Sequence, residues 1–257
     1  LLVGGVELGL DHRQRCCHRP GRVGLDGGDP RAVTPTTHMS ARAEPARDDE
    51  STRCASRVST RAALETQLAV VAGFDAPSAA LEQYPTPPHL AASVVHDADL
   101  RGDIADCTVL DLGAGTGMLA LGAALRAPAR AIGVELDPAA LATARENRRR
   151  VGTRAPVEWV RADVGRLPVR TGGDHDRQTT VFTNPPFGAQ RDSEGSDREF
   201  LRAASAVADV SYSVHNDGSR AFVESFAADN DGRVTASHAA AFELDRQFDF
   251  HEADSQE

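Results

Sequence analysis

From about residue 62 onward, apolar and polar positions fall into alternating helix-like and strand-like runs. Leu64, Leu68 and Val71 recur at helical spacing, and the Glu82-Gln83-Tyr84-Pro85-Thr86-Pro87-Pro88 segment then forces an extended turn. A second amphipathic helix is expected to begin near His89. Short apolar runs follow at residues 107–111, 131–135, 157–161, 179–183 and 209–214, each predicted to be a strand, with helical stretches between them and a polar loop over 171–178. A further β-rich stretch is expected at 233–244, before an acidic tail. Repeated βαβ units call for a mostly parallel sheet with right-handed crossovers, the doubly wound α/β architecture.

Residues 1–58 read differently. They mix Gly, Pro, Arg, Thr and Asp with little apolar periodicity, so they are expected to bury too little surface to offset chain entropy and to form a disordered extension before a folded domain at 59–257. Met39 is the first methionine, which predicts that residues 1–38 are an upstream extension absent from the natural product. Cys16, Cys17, Cys54 and Cys107 include no C-x-x-C pair, so no metal site is predicted. The cluster His12, Cys16, Cys17 and His18 sits in an Arg/Gly-rich stretch and reads as chance composition.

The first motif of chemical interest is Asp111-Leu112-Gly113-Ala114-Gly115-Thr116-Gly117, closing the first predicted strand. Its Gly-x-Gly-x-Gly spacing is one residue tighter than the dinucleotide fingerprint. Glycines after a buried strand let backbone approach a ligand, and Asp111 suits an ammonium where a pyrophosphate would be repelled. Glu135, at the tip of the next strand, can accept hydrogen bonds from two ribose hydroxyls, and Asp163 after the third can accept from an adenine amine. Acids at three successive strand tips predict S-adenosylmethionine as the cofactor.

The second motif, Asn184-Pro185-Pro186-Phe187-Gly188, follows the fourth strand. Asn184 offers a carboxamide oxygen, Pro185 and Pro186 stiffen the backbone so that the Pro185 carbonyl has a fixed direction, and Phe187 offers a stacking face worth about 1–3 kcal/mol. Together these would hold a planar amine in line with a sulfonium methyl. Catalysis would then rest on orientation, without a strong general base.

Leu81-Glu82-Gln83-Tyr84-Pro85-Thr86, the glycine motif, Asn-Pro-Pro-Phe-Gly, Gly195-Ser196-Asp197 and Tyr212-Ser213-Val214-His215 occur in that order. This set resembles the rRNA adenine-N6 methyltransferase family known as methyltransferase-like protein five, with its archaeal relatives. The resemblance runs from about Ala62 to His251. It implies a Rossmann-like class I methyltransferase fold that methylates one adenosine of small-subunit rRNA, with Gln83, Tyr84 and Thr86 closing the cofactor pocket beside Asp111, Gly113, Gly115, Gly117, Glu135, Asp163 and Asn184. It also implies a small zinc-containing activator protein that adds a strand beside residues 157–161 by edge pairing. His215 would lie near the substrate, and Arg191 and Arg198 are candidates for RNA phosphate contact, with solvated loop charges the competing reading. Relatives carry one more strand after the position of His251, slotted antiparallel between the fifth and sixth. Its absence here predicts two open sheet edges and a truncated chain.

Two enzymatic alternatives use the same amine grip, protein glutamine-N5 methylation and DNA adenine methylation. The first group usually has Tyr where Phe187 stands, and the second calls for a target-recognition domain that is not visible. A non-catalytic RNA-binding ribosome-assembly factor would not need Asn184, Pro185 and Phe187. With no apolar run of the roughly 18 residues that span a bilayer, the protein is expected to be soluble and cytoplasmic.

Charge complicates an RNA substrate. The net charge is −10, and all 28 basic residues are arginine. Residues 1–58 hold nine Arg and eight acids, so the remaining 19 Arg face 30 acids, a net −11. An acidic, lysine-free surface is expected of a halophilic source, where salt screens the repulsion. The expected outcome is a lower unfolding temperature on transfer from molar salt to dilute buffer. An unchanged one would remove the halophilic reading.

Overall fold

The computed structural model describes residues 2–11, 60–168, 177–186, 196–216 and 218–243, all within one compact unit. The chain order is β1 (Leu2–Asp11), α1 (Arg61–Leu68), α2 (Pro88–Leu100), β2 (Thr108–Leu112), α3 (Met118–Ala124), β3 (Arg130–Glu135), α4 (Pro138–Val151), β4 (Val157–Arg161), β5 (Thr179–Thr183), α5 (Ser196–Val207), β6 (Val210–His215), α6 (Arg220–Asp229) and β7 (Arg233–Glu243). The expected polar loop at 171–178 lies outside the described residues up to 176.

The seven strands lie in the order β4-β3-β2-β5-β6-β1-β7. β2 through β6 pair in parallel, and β1 runs antiparallel to both β6 and β7. The sheet is thus the doubly wound sheet expected from the alternation. Every residue of β2 is buried, because the strand lies in the middle of the sheet with helices on both faces. Val109 and Phe182 pack on one face against Leu64 and Leu68 of α1, Val94 and Val95 of α2 and Leu119 of α3. Leu110, Leu112 and Val181 pack on the other against Ala203, Ala204 and Val207 of α5.

Helix α4 shows how local chemistry sets an element. Asp137 caps its N-terminus by accepting from the Ala139 N–H at 2.8 Å, Pro138 occupies the first turn, and Gly152 ends it at φ 69°. The buried positions Ala140, Ala144, Asn147 and Val151 form a single stripe at 4-3-4 spacing. In α2, Pro87 in extended conformation precedes Pro88 at the first helical position, so the proline run that breaks the preceding segment also starts this helix.

Residues 2–11 correct the reading of residues 1–58 as a disordered extension, at least over that span. They pair with β6 from Val6↔His215 to Asp11↔Val210 and with β7 from Leu2↔Glu243 to Asp11↔Arg233. The gap expected beside β6 for want of a final strand is therefore occupied, and from the other end of the chain. Val6, Leu8 and Leu10 alternate with Glu7, Gly9 and Asp11, a strand period that the surrounding Arg/Gly-rich composition hid. Residues 12–59 lie outside the described residues.

Deleting residues 1–14 would leave β6 and β7 with facing unpaired edges. The expected result is a Tm lower by on the order of 10 °C in a thermal scan. An unchanged Tm would show that β1 contributes nothing to the sheet.

Candidate active site

The strand tips of β2, β3 and β5 and the connection after β4 open onto a cavity of about 260 Å³. Asp111, Glu135, Asp163 and Asn184 all line it, as do Gly113, Gly115, Gln83, Tyr84, Thr86 and Pro186. Parallel register brings them there, since Leu112 pairs with Val134 on one side and with Thr183 on the other.

Asp111 is 1 % exposed. Its Oδ2 accepts from the Ala120 N–H at 2.8 Å, whereas its Oδ1 is buried with no partner. Burial pushes its carboxyl up to about 7; the Ala120 hydrogen bond opposes that shift and the nearby Glu135 adds to it. A half-satisfied buried carboxylate is a poor structural element and a good receptor for a cation.

The glycine loop is held to β3, with the N–H groups of Gly113 and Ala114 both donating to the Val134 carbonyl at 2.9 Å. Gly113 has φ 70° and a Cβ there would lie 2.7 Å from the Phe200 ring, so conformation and space both require glycine. Gly117, at φ 92°, meets Trp159 in the same way. Glu135 accepts from the Gly115 N–H at 2.8 Å through one oxygen and from the Asp137 N–H at 2.9 Å through the other. Each carboxylate oxygen has capacity for a second hydrogen bond. Asp163 accepts from the Gly165 N–H at 2.9 Å and is exposed.

The entry segment closes one wall. Gln83 donates to Asp137 Oδ2 at 2.7 Å and accepts from the Ser78 N–H at 2.8 Å, so it braces that wall against the start of α4. The same bond holds the Asp137 carboxyl below the usual range. Tyr84 is half-buried, and desolvation raises its hydroxyl, with Glu82 adding to the effect.

Asn184 Nδ2 donates to Thr86 Oγ1 at 3.0 Å. That bond fixes the plane of the carboxamide and leaves Asn184 Oδ1 buried without a partner. Below it, Thr183 donates to the Leu112 carbonyl at 2.9 Å and locks the strand end. Pro185 is buried; Phe187 and Arg191 lie outside the described residues. Arg198 lies 4.9 Å from the Phe222 ring centroid, where its guanidinium faces an aromatic side chain. His215, 2 % exposed, shares a 2.8 Å hydrogen bond with Ser213, and burial pushes it down to about 4, so it is neutral near pH 7.

Sequence reasoning missed several residues here. Phe74 and Phe200 line the cavity against Gly115 and Gly113. Asn147, fully buried, accepts from the Ala72 N–H at 2.9 Å and donates to the carbonyls of Ala72 and Thr116, tying α4 to the glycine loop and to the segment after α1. Its place in the apolar stripe of α4 was the available signal.

A family model described as conserved hypothetical protein 95 matches residues 95–206. The chain is 36 % identical over 198 residues to the rRNA N(6)-adenosine-methyltransferase Mettl5 of Drosophila melanogaster, covering 76 % of this chain and 90 % of that one. It is 31 % identical over 194 residues to the corresponding Danio rerio enzyme, covering 75 % and 91 %. The chain belongs to the rRNA N6-adenosine methyltransferase family. In structure, this family member is similar to a candidate RNA methyltransferase of Pyrococcus horikoshii, with 34 % identity, a TM-score of 0.66, and coverage of 74 % of this chain and 89 % of that one. The class I methyltransferase fold expected from the motifs is the fold observed. Among the described residues, no helix of this family member is long and apolar enough to cross a membrane.

Proposed function

We propose that the chain transfers a methyl group from S-adenosylmethionine to the N6 amine of an adenosine in small-subunit rRNA. The observation that carries this reading is the unpartnered Oδ1 of Asn184, a residue that lines the same cavity as Asp111 and Glu135 and whose carboxamide the Thr86 bond fixes. An exocyclic amine donates hydrogen bonds and has nothing to accept, so a fixed carbonyl oxygen recognises it. The Pro185 carbonyl supplies the second acceptor, and Phe187 the stacking face.

Asp111 would hold the cofactor's ammonium, Glu135 its ribose hydroxyls and Asp163 its adenine amine. Gly113 and Gly115 let the backbone approach it, whereas Gly117 packs against Trp159 outside the cavity lining; Tyr84 closes the pocket, Thr86 orients Asn184 and Gln83 positions the wall. Pro185 and Pro186 keep the amine in line with the methyl group, and orientation lowers the barrier. S-adenosylmethionine would supply an electrophilic methyl group, and the amine held by Asn184 and the Pro185 carbonyl would accept it and give up a proton to water. In this reading the catalytic domain comprises residues 59–257 together with β1. Among the described residues β4 has a neighbour on one side alone, which supports an activator protein adding a strand there.

The deciding experiment is methyl transfer from labelled S-adenosylmethionine to purified small ribosomal subunits and to a protein release factor, with and without the activator. Label recovered as N6-methyladenosine is the expected outcome, and label on protein alone would move the activity to glutamine. Asn184→Ala should keep cofactor affinity and lose roughly 10²- to 10³-fold in kcat. Retained turnover would remove the amine grip.

The Asp111 carboxyl gives a pH signature. Its folded value, near 7, lies above the ordinary carboxylate value, so its contribution to stability is present at low pH and lost as pH rises through about 7. An ammonium ligand selects the ionised form. S-adenosylhomocysteine affinity should therefore fall as pH drops below about 7, by up to about tenfold per unit, with a proton released on binding. Calorimetry in buffers of different ionisation heat checks this, and a flat profile would unseat Asp111 as the ammonium receptor.

A further inference from the structure

The positive charge of this acidic chain is not spread evenly. Residues 145–154 hold Arg145, Arg148, Arg149, Arg150 and Arg154 against Glu146 alone, a net +4, so the remainder of the chain carries −14. In the fold, Arg145, Arg148 and Arg149 line one groove with Gly152, Thr153 and Trp159. Arg145 and Arg149 are exposed, one helical turn apart on the same side of α4.

Helix ends attract basic side chains, and Arg148, Arg149 and Arg150 in the last turn suit the α4 dipole. That account does not reach Arg145, a turn earlier, or Arg154, beyond the helix. Among the described residues, ion pairs within the structure do not neutralise the cluster. Glu146 is the acid paired with Arg149, at 2.7 Å, and with Arg150, at 3.9 Å. Arg148 donates to the neutral Val157 carbonyl at 3.1 Å. The segment thus sets five guanidinium groups against one carboxylate, which pairs with two of them.

We propose that this groove is a second RNA contact, holding phosphodiester backbone of the substrate away from the methyl-transfer cavity. It rests on the reading that the substrate is RNA. Guanidinium forks match phosphate oxygens in bidentate geometry, and each neutralised phosphate releases counterions. α4 starts beside the β3 tip, and Arg145 and Arg149 lie about 10 and 16 Å along its axis from the end that borders the cavity. A contact at that range anchors a large folded RNA and leaves a single nucleotide untouched. It also bears on the objection raised by the net charge, because it concentrates +4 in one groove of a chain whose remainder carries −14 and so favours one orientation of approach.

The test compares Arg145→Gln/Arg149→Gln with the charge-matched Arg61→Gln/Arg101→Gln, whose exposed residues lie on α1 and at the end of α2. The probe is a fluorescein-labelled stem-loop RNA, with binding followed by anisotropy over a salt series. The groove variant is expected to raise Kd about tenfold or more and to flatten the slope of log K against log salt by about two, with S-adenosylhomocysteine affinity unchanged. The control should bind as wild type does. Equal Kd and slope in the groove variant overturn the proposal, and so does an equal loss in the control, which would show a bulk charge effect. Binding is read without turnover, so the two readings can fail separately. A wild type that needs these arginines for RNA yet methylates no ribosomal subunit keeps the groove and loses the proposed substrate.

Discussion

Everything in the cavity depends on the parallel ladder around β2. Asp111 pairs in register with Gly133 of β3 and Phe182 of β5, so the ends of all three strands stop at one level. Hydrogen bonding between backbones, which is blind to side chains, thereby sets the separation of Asp111, Glu135 and Asn184. The side chains beyond the ladder then add local locks. Thr183 ties β5 to β2, Asn147 ties the glycine loop to α4, and Gln83 ties the entry wall to Asp137. A change in any one of these moves a single wall, whereas a slip of the ladder would scatter the whole set.

Among the buried atoms without a partner, two oxygens belong to residues that line the cavity. Asp111 Oδ1 and Asn184 Oδ1 each sit on a side chain whose other polar atom is engaged. The engaged atom costs little and fixes direction; the idle one carries a desolvation penalty that a donor of the right shape removes. One idle oxygen is charged and suits a cation, and the other is neutral and suits an amine. This division separates the two halves of the proposed reaction without recourse to a titrating base.

Much of this was legible in the chain itself. β4 and β5 span the residues expected, and the other parallel strands differ by a residue or two at their ends, because apolar runs bounded by polar turns mark buried strands well. The acids at the strand tips were legible for the same reason. Residues 2–11 were not, since their alternation is short and lies beside a stretch whose composition dominates any reading of the whole. Asn147 was passed over because an asparagine between arginines looks like solvent-facing helix, although its position in the stripe with Ala144 and Val151 said otherwise. Phe74 and Phe200 reach the glycine loop from segments distant in sequence, and no local pattern encodes such a meeting. The orphaned state of Asn184 Oδ1 likewise depends on Thr86, 98 residues away.

The position of β1 also bears on how the molecule is made. It is synthesised before every other described strand, yet Leu8 pairs with Ser213 and Ser237, residues more than 200 positions later. A strand that waits so long for both neighbours cannot help nucleate the sheet, and long-range pairing of this kind slows folding. While it waits, it presents unpaired backbone on the ribosome, where a neighbouring nascent chain offers the same edge. The chain would thus gain its last sheet contacts only after β7 emerges, and its exposure to chaperones would end with them.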